Sequence, residues 1–179
     1  SLVGAGGKTT ALFQLARQLS NKSPVIVTAT THLGVWQIPL ADHHIIAQNA
    51  DDLLSLPNKG VILVTGEIEN ERTKPVDNST LYWLREKSKE LGIFLLTEAD
   101  GSRQKSIKAP ASHEPPIPKF TDTVIVAAGL ATIGKLLDEK NVHRPEIFSQ
   151  LSGTPIGETI TPKEITAILT HPQGGLKNI

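Results

Sequence analysis

The 179-residue sequence contains no cysteine. Disulfides, thiolate zinc sites and any mechanism that carries sulfur or selenium on a cysteine of this chain are thereby excluded. Methionine is absent too, even at position 1. The chain is therefore expected to begin inside a longer natural sequence or to have lost positions from it, and contiguous motifs carry more weight than spacings across loops. An excess of charge of one sign is also lacking, since 18 Lys+Arg balance 18 Asp+Glu. That balance removes the long-range attraction that would bring nucleic acid or an anionic membrane to the surface. No apolar run is long enough for a membrane span and no signal peptide is visible, so a cytoplasmic location is the expectation. The partners expected are a small anion and another protein, with the oligomeric state open. What is present is 39% hydrophobic residues, enough to build the core of one α/β domain over residues 1–179. That domain is expected to be truncated at its N-terminus, with truncation at the C-terminus left open.

The opening decapeptide, Ser1-Leu2-Val3-Gly4-Ala5-Gly6-Gly7-Lys8-Thr9-Thr10, reads as the end of a buried strand running into a phosphate-binding loop. Three glycines in four positions let the backbone curl so that several N–H groups face one anion. The helix that follows adds the positive end of its dipole. Gly4, Ala5, Gly6, Gly7, Lys8, Thr9 and Thr10 are therefore candidate nucleotide-binding residues. Lys8 is suited to reach the β- and γ-phosphates, and Thr9 to offer its hydroxyl to Mg²⁺, a hard cation that prefers oxygen. Leu2 stands where the usual P-loop has its first glycine, so the loop is a shortened variant. Leu12, Leu15, Ala16 and Leu19 supply the helical stripe that must follow such a loop. The competing reading is a glycine-rich strand-to-helix turn with an exposed lysine.

Further along, residues 24–30 form a β-branched run of the kind found in parallel strands buried on both faces. Its end, Thr30-Thr31-His32, is expected on the same rim as the loop, where Thr31 is a candidate for Mg²⁺ or a γ-phosphate; self-bonded strand-end hydroxyls are the alternative. Residues 33–48 read as irregular, with His43 and His44 at the surface, because adjacent histidines on a strand face opposite ways and chelate poorly. Asn49 caps a helix start over residues 49–54. Residues 60–65 read as a buried strand and 66–76 as a polar connection with scope for mobility. Leu81, Leu84, Ser88 and Leu91 trace a helix stopped at Gly92.

A second chemical element follows in Ile93-Phe94-Leu95-Leu96-Thr97-Glu98-Ala99-Asp100-Gly101. Period-two alternation puts Glu98 and Asp100 on one face at the carboxyl end of a strand. A Walker-B acid belongs there, holding Mg²⁺ through water while its neighbour orients or deprotonates an attacking water. Asp100 is favoured for the metal, together with Thr9; acids that merely cap the next turn are the alternative. In the long loop of residues 101–118, Arg103, Lys105 and Lys108 are candidates to grip phosphate oxygens. His113-Glu114 there could engage substrate or brace the loop, with a flexible connection over these residues as the competing reading. Residues 124–129 read as a further buried strand. Arg144, ahead of Pro145 at a helix entrance, needs an anion there. Glu146, Glu98 or a phosphate could supply it, and the last would make Arg144 an arginine finger. Thr161-Pro162-Lys163-Glu164 is a capping box. Strand and helix alternate, which argues for a P-loop NTPase-like α/β fold, a mainly parallel sheet with helices on both faces.

With these residues in order, the chain resembles the YqeC family, accessory proteins of selenium-dependent molybdenum hydroxylases. The resemblance is carried by Gly4-Ala5-Gly6-Gly7-Lys8-Thr9-Thr10, Thr30-Thr31-His32, Glu98-Ala99-Asp100-Gly101-Ser102-Arg103, Lys108-Ala109-Pro110, His113-Glu114-Pro115 and Val142-His143-Arg144-Pro145-Glu146. It covers nearly the whole chain. The loop alone is also similar to the Gly-x-x-Gly-Lys-Thr-Thr of Mur-type peptide ligases. Gly129-Leu130-Ala131 departs from the Gly-Leu-Asp associated with the family, so no acidic role exists there. The resemblance implies a nucleotide-binding protein in the maturation of a molybdenum hydroxylase, in cofactor modification or insertion.

The leading expectation is a Mg²⁺-dependent nucleoside triphosphatase taking ATP or GTP, with Lys8, Glu98, Asp100, Arg103 and Arg144 as catalytic candidates. Lys108 and His113 join the loop and Thr31 as binding candidates. A ligase or kinase acting on a cofactor is a second enzyme class. The third is a chaperone that uses nucleotide as a switch and binds an apo-molybdenum hydroxylase or its pterin cofactor.

Overall fold

A computed structural model describes residues 1–53 and 55–179. In chain order its strands are β1 (Leu2–Gly4), β2 (Val25–Ala29), β3 (Leu33–Gly34), β4 (His43–Ile46), β5 (Val61–Thr65), β6 (Ile68–Glu69), β7 (Arg72–Thr73), β8 (Phe94–Glu98), β9 (Ile107–Lys108), β10 (Ile125–Ala127) and β11 (Val142–His143). The α-helices are α1 (Lys8–Ser20), α2 (Asn78–Leu91), α3 (Pro145–Ser152) and α4 (Pro162–Thr170). The chain forms two compact units, Thr9–Glu98 and the combination of Ser1–Lys8 with Ala99–Ile179.

In the Thr9–Glu98 unit four parallel strands lie in the order β8-β2-β5-β4. Every residue of β2 and β5 is buried. Their sequences, Val-Ile-Val-Thr-Ala and Val-Ile-Leu-Val-Thr, lack polar alternation because both faces are covered. Helix α1 buries Leu12, Phe13 and Ala16, with Leu15 and Leu19 half-buried. Helix α2 starts where the Asp77 carboxylate accepts the Thr80 N–H at 2.6 Å and stops at Gly92, in the left-handed conformation. It buries Leu81, Leu84 and Ser88.

Two segments differ from the expectation. Residues 43–46, expected to be irregular, form β4, in register with β5 from His43↔Ile62 to Ile46↔Thr65. A four-residue edge strand headed by two histidines has no periodicity to betray it. Within it His44 is half-buried, its Nε2 lies 2.9 Å from Thr65 Oγ1, and burial lowers its pKa. Residues 66–76, expected as a plain connection, carry β6 and β7, which form an antiparallel sheet with β3. Asn70 and Glu71 both have positive φ, the requirement of a two-residue hairpin turn that Asn-Gly would have announced and Asn-Glu does not. Asn49 does cap the turn expected after it, its Oδ1 accepting the Asp51 N–H at 2.9 Å; a short 3-10 helix covers Ala50–Leu53. The last residue of that expected start, Leu54, lies outside the described residues.

In the other unit β1 pairs with β10 in parallel, Leu2↔Ile125 through Gly4↔Ala127, and β9 pairs with β11 in parallel. Its core gathers Ile107, Leu137, Val142, Phe148, Ile160, Ile165 and Ile168. Helix α3 opens with Pro145 at its first position and closes at left-handed Gly153. The capping box at Thr161 and Glu164 opens α4 as expected. Strand β10 is less buried than its apolar run suggested, with Ile125 44% exposed, because it is an edge strand.

The chain is thus a mixed α/β protein with mainly parallel strands flanked by helices, consistent with the P-loop NTPase-like class. No helix among the described residues is long and apolar enough to cross a membrane. Phe148→Ala should cost about 3–5 kcal/mol through the cavity it leaves, and Asp77→Ala about 1 kcal/mol through the lost cap. Urea unfolding followed by circular dichroism measures both.

Candidate functional site

The chain leaves β1 through a loop that only glycine could make at two positions. A Cβ on Gly4, at φ +91°, would lie 2.2 Å from the Ala127 carbonyl oxygen. One on Gly6, at φ +78°, would lie 2.3 Å from the Gly129 nitrogen and 2.5 Å from the Ser106 oxygen. The Ala5 N–H donates to that same Ala127 oxygen at 2.9 Å, which fixes the first half of the loop. Gly6 and Gly7 face solvent, so the tip of the loop is open to an incoming anion. Lys8 begins α1, is buried, and donates from Nζ to the Gly4 carbonyl at 2.8 Å. Its ammonium therefore reaches back to the loop's first residue. Thr10 is exposed.

In the Thr9–Glu98 unit, the Thr9 hydroxyl donates to Glu98 Oε2 at 2.6 Å. Glu98 is the last residue of β8 and is buried. Beside it β2 ends, with Ala29 paired to Glu98 and the Thr30 N–H donating to the Glu98 carbonyl at 3.0 Å. The Thr30 and Thr31 hydroxyl oxygens are buried and have no hydrogen-bond partner among the described residues. Buried hydroxyls are rarely left so, and both stand at the carboxyl end of their strand. His32 is exposed. No cluster of three or more His, Cys, Asp or Glu among the described residues could hold a metal ion.

Asp100 lies beyond the end of β8, in the other unit, and its partners are different. Its Oδ2 accepts the Gly4 N–H at 3.2 Å and its Oδ1 accepts from Lys108 Nζ at 2.5 Å. Lys108 also donates to Glu114 Oε2 at 2.6 Å and to the Gly101 carbonyl at 2.7 Å. Glu114 is in turn held by the Arg144 guanidinium, Nη1 to Oε2 at 2.6 Å and Nη2 to Oε1 at 2.8 Å. Burial alone would raise the Glu114 pKa. The hydrogen bonds and charges of Arg144 and Lys108 outweigh it and hold the carboxyl at about 2. His143, next to Arg144, is pushed down to about 4, first by burial and then by the positive charges of Arg144 and Lys108.

Of the residues picked from the sequence, Thr9 and Glu98 are brought together. Asp100, Lys108 and Arg144 gather with Glu114 in a second cluster. Lys108, expected to grip phosphate, is 5% exposed and bound to two carboxylates. The anion that Arg144 needed is Glu114, which was not among those considered for it. Arg103 is exposed at φ +47°. His113 is also exposed, its ring 4.0 Å from Glu114. Lys105 donates to the Lys140 carbonyl at 2.6 Å. Sequence reasoning missed Lys177 and Asn178: Lys177 donates to the carbonyls of Ala111 and Ser112, and Asn178 to that of Pro115. Only the Gly174-Gly175 pair ahead of them hinted at close packing.

The family model described as YqeC protein matches residues 1–146. The uncharacterized protein YqeC of Escherichia coli strain K12 is 32% identical over 195 residues, which span 100% of this chain and 70% of that protein. No solved structure matches.

Acid should destabilise the protein in two windows. Glu114 is depressed from 4.5 to about 2, so its contribution is full above about pH 4.5 and is lost as the pH falls toward 2. His143 is depressed from 6.5 to about 4; the unfolded chain takes up its proton first, so stability falls as the pH drops from about 6.5 toward 4. Glu114→Gln should remove the lower window, on the order of 1–2 kcal/mol after solvent screening, and His143→Gln the upper one. Thermal melting between pH 8 and the acid limit checks both.

Proposed function

The chain belongs to the YqeC family, and within that frame we propose that it binds a nucleoside triphosphate, ATP or GTP, together with Mg²⁺. The observation that carries this is the 2.6 Å bond from Thr9 to Glu98. It joins the hydroxyl that follows a glycine-rich loop and its lysine to a carboxylate at the end of a parallel strand. The exposed residues Gly6 and Gly7 and the start of α1 suit phosphate oxygens. Lys8 would exchange its hold on the Gly4 carbonyl for the β- and γ-phosphates.

The oxygens in the Thr9–Glu98 unit fit Mg²⁺, which binds through one or two carboxylates and keeps several waters. Thr9 and Glu98 would hold it, and the hydroxyls of Thr30 and Thr31, without a partner among the described residues, would complete its shell. When bound, the ion would spread the negative charge of the phosphates. Asp100, favoured for the metal from sequence alone, is here given to the Gly4 amide and Lys108. Hydrolysis would join a water oxygen to the γ-phosphorus, break its bond to the bridging oxygen, and release a proton to solvent. Arg103 is an exposed cation suited to transition-state charge, while Arg144 braces Glu114.

Service in the maturation of a molybdenum hydroxylase is proposed from the motif resemblance, with the apo-hydroxylase or its pterin cofactor as client. One observation favours a second class, a binding protein switched by nucleotide: the engagement of Asp100 by Lys108 leaves it poorly placed as a general base. Calorimetric titration with non-hydrolysable ATP and GTP analogues tests the binding. Lys8→Ala should weaken it about 10- to 100-fold, and Glu98→Gln should abolish its Mg²⁺ dependence. Unchanged tight binding in Lys8→Ala would remove the claim. Client capture that survives loss of turnover would select the switch.

A further inference from the structure

Lys108 is a buried ammonium whose three donors are all spent, on Asp100 Oδ1 at 2.5 Å, Glu114 Oε2 at 2.6 Å and the Gly101 carbonyl at 2.7 Å. It cannot reach a phosphate without abandoning two carboxylates away from water. What it does reach, through one intermediary, is the phosphate loop. Asp100 is 1% exposed. One of its oxygens accepts a hydrogen bond from the Lys108 ammonium while the other accepts the N–H of Gly4, the first glycine of the loop. On the far side, Glu114 is clamped by both guanidinium nitrogens of Arg144. The backbone carrying Glu114 is strapped by Lys177 and Asn178. All these residues belong to one compact unit.

From this chain of contacts we infer that Lys108 is a positioning residue for the phosphate loop. It fixes the Asp100 carboxylate on the Gly4 amide and cancels the negative charge that Asp100 would otherwise present to an arriving phosphate. The inference rests on the nucleotide-binding reading of the loop. Two physical arguments support it. Buried ion pairs are a poor source of stability, since apolar residues of similar volume commonly do as well; four bonded charges at this place specify geometry instead. The electrostatics also support it, because a buried carboxylate bonded to the first residue of the loop repels an anion arriving at that loop unless a cation neutralises it.

The test combines the Gly4 amide resonance, seen by ¹⁵N NMR in the free protein, with calorimetric binding of a non-hydrolysable ATP or GTP analogue. Lys108→Met should shift the Gly4 amide, raise its exchange rate, and weaken analogue binding about 10-fold or more. The double variant Lys108→Met with Asp100→Asn should recover most of the affinity. Its cluster is again neutral, the side-chain amide introduced by Asp100→Asn can still accept from the Gly4 N–H, and Glu114 stays with Arg144. An unshifted Gly4 amide overturns the inference whatever the affinity does, and lost binding with Gly4 unmoved would mean that Lys108 touches the nucleotide itself. Failure of the double variant to recover also overturns it. Should Lys108→Met not fold, Lys108→Gln decides by the same amide, shifted in support and unshifted against. Absence of analogue binding by the unaltered protein would defeat the nucleotide reading, while the Gly4 amide still decides whether Lys108 positions the loop.

Discussion

Gly4 and Gly6 have no room for a side chain, and that steric constraint is what the glycine-rich loop depends on. A methyl group at either position would collide with backbone atoms of residues 106, 127 or 129. Backbone cannot yield as the tip of a flexible side chain can. The left-handed turns at these positions, together with the Ala5 N–H bond to Ala127, bring the loop round so that Lys8 lies over its own first carbonyl. The loop's shape is thus imposed by close packing on two neighbouring segments, around Ser106 and around residues 127–129.

Two carboxylates, one residue apart in the chain, have come to lie in different chemical settings. Glu98 ends its strand accepting the Thr9 hydroxyl. Asp100, past the strand's end, is neutralised by a buried lysine. Buried charge is concentrated around Glu114. Arg144 and Lys108 together hold that carboxyl ionised far below its ordinary range, and the residues that brace it extend to the end of the chain.

The loop, the strand carrying Glu98 and the helices capped at Asp77 and Thr161 were legible in the sequence because each is written in contiguous residues. Glu98 and Asp100 were legible as acids, but alternation was carried past Glu98, where the strand stops, so the difference in their settings was not. Lys108 read as a phosphate ligand because its partners depend on β9 and β11, two-residue strands that pair Lys108 with His143 and so bring Arg144 near. Nothing in two dipeptides separated by more than thirty positions announces that they pair. Strand β4 and the Asn70-Glu71 hairpin escaped for the related reason that short elements leave no period to read.

The most direct measurement is a crystal structure of the protein with Mg²⁺ and a non-hydrolysable ATP or GTP analogue. The account expects phosphate oxygens on the amides of Gly6 and Gly7, Lys8 drawn from the Gly4 carbonyl to the phosphates, and Thr9 and Glu98 turned from each other toward the metal. A nucleotide bound elsewhere, with the Lys8 to Gly4 and Thr9 to Glu98 bonds intact, would contradict it.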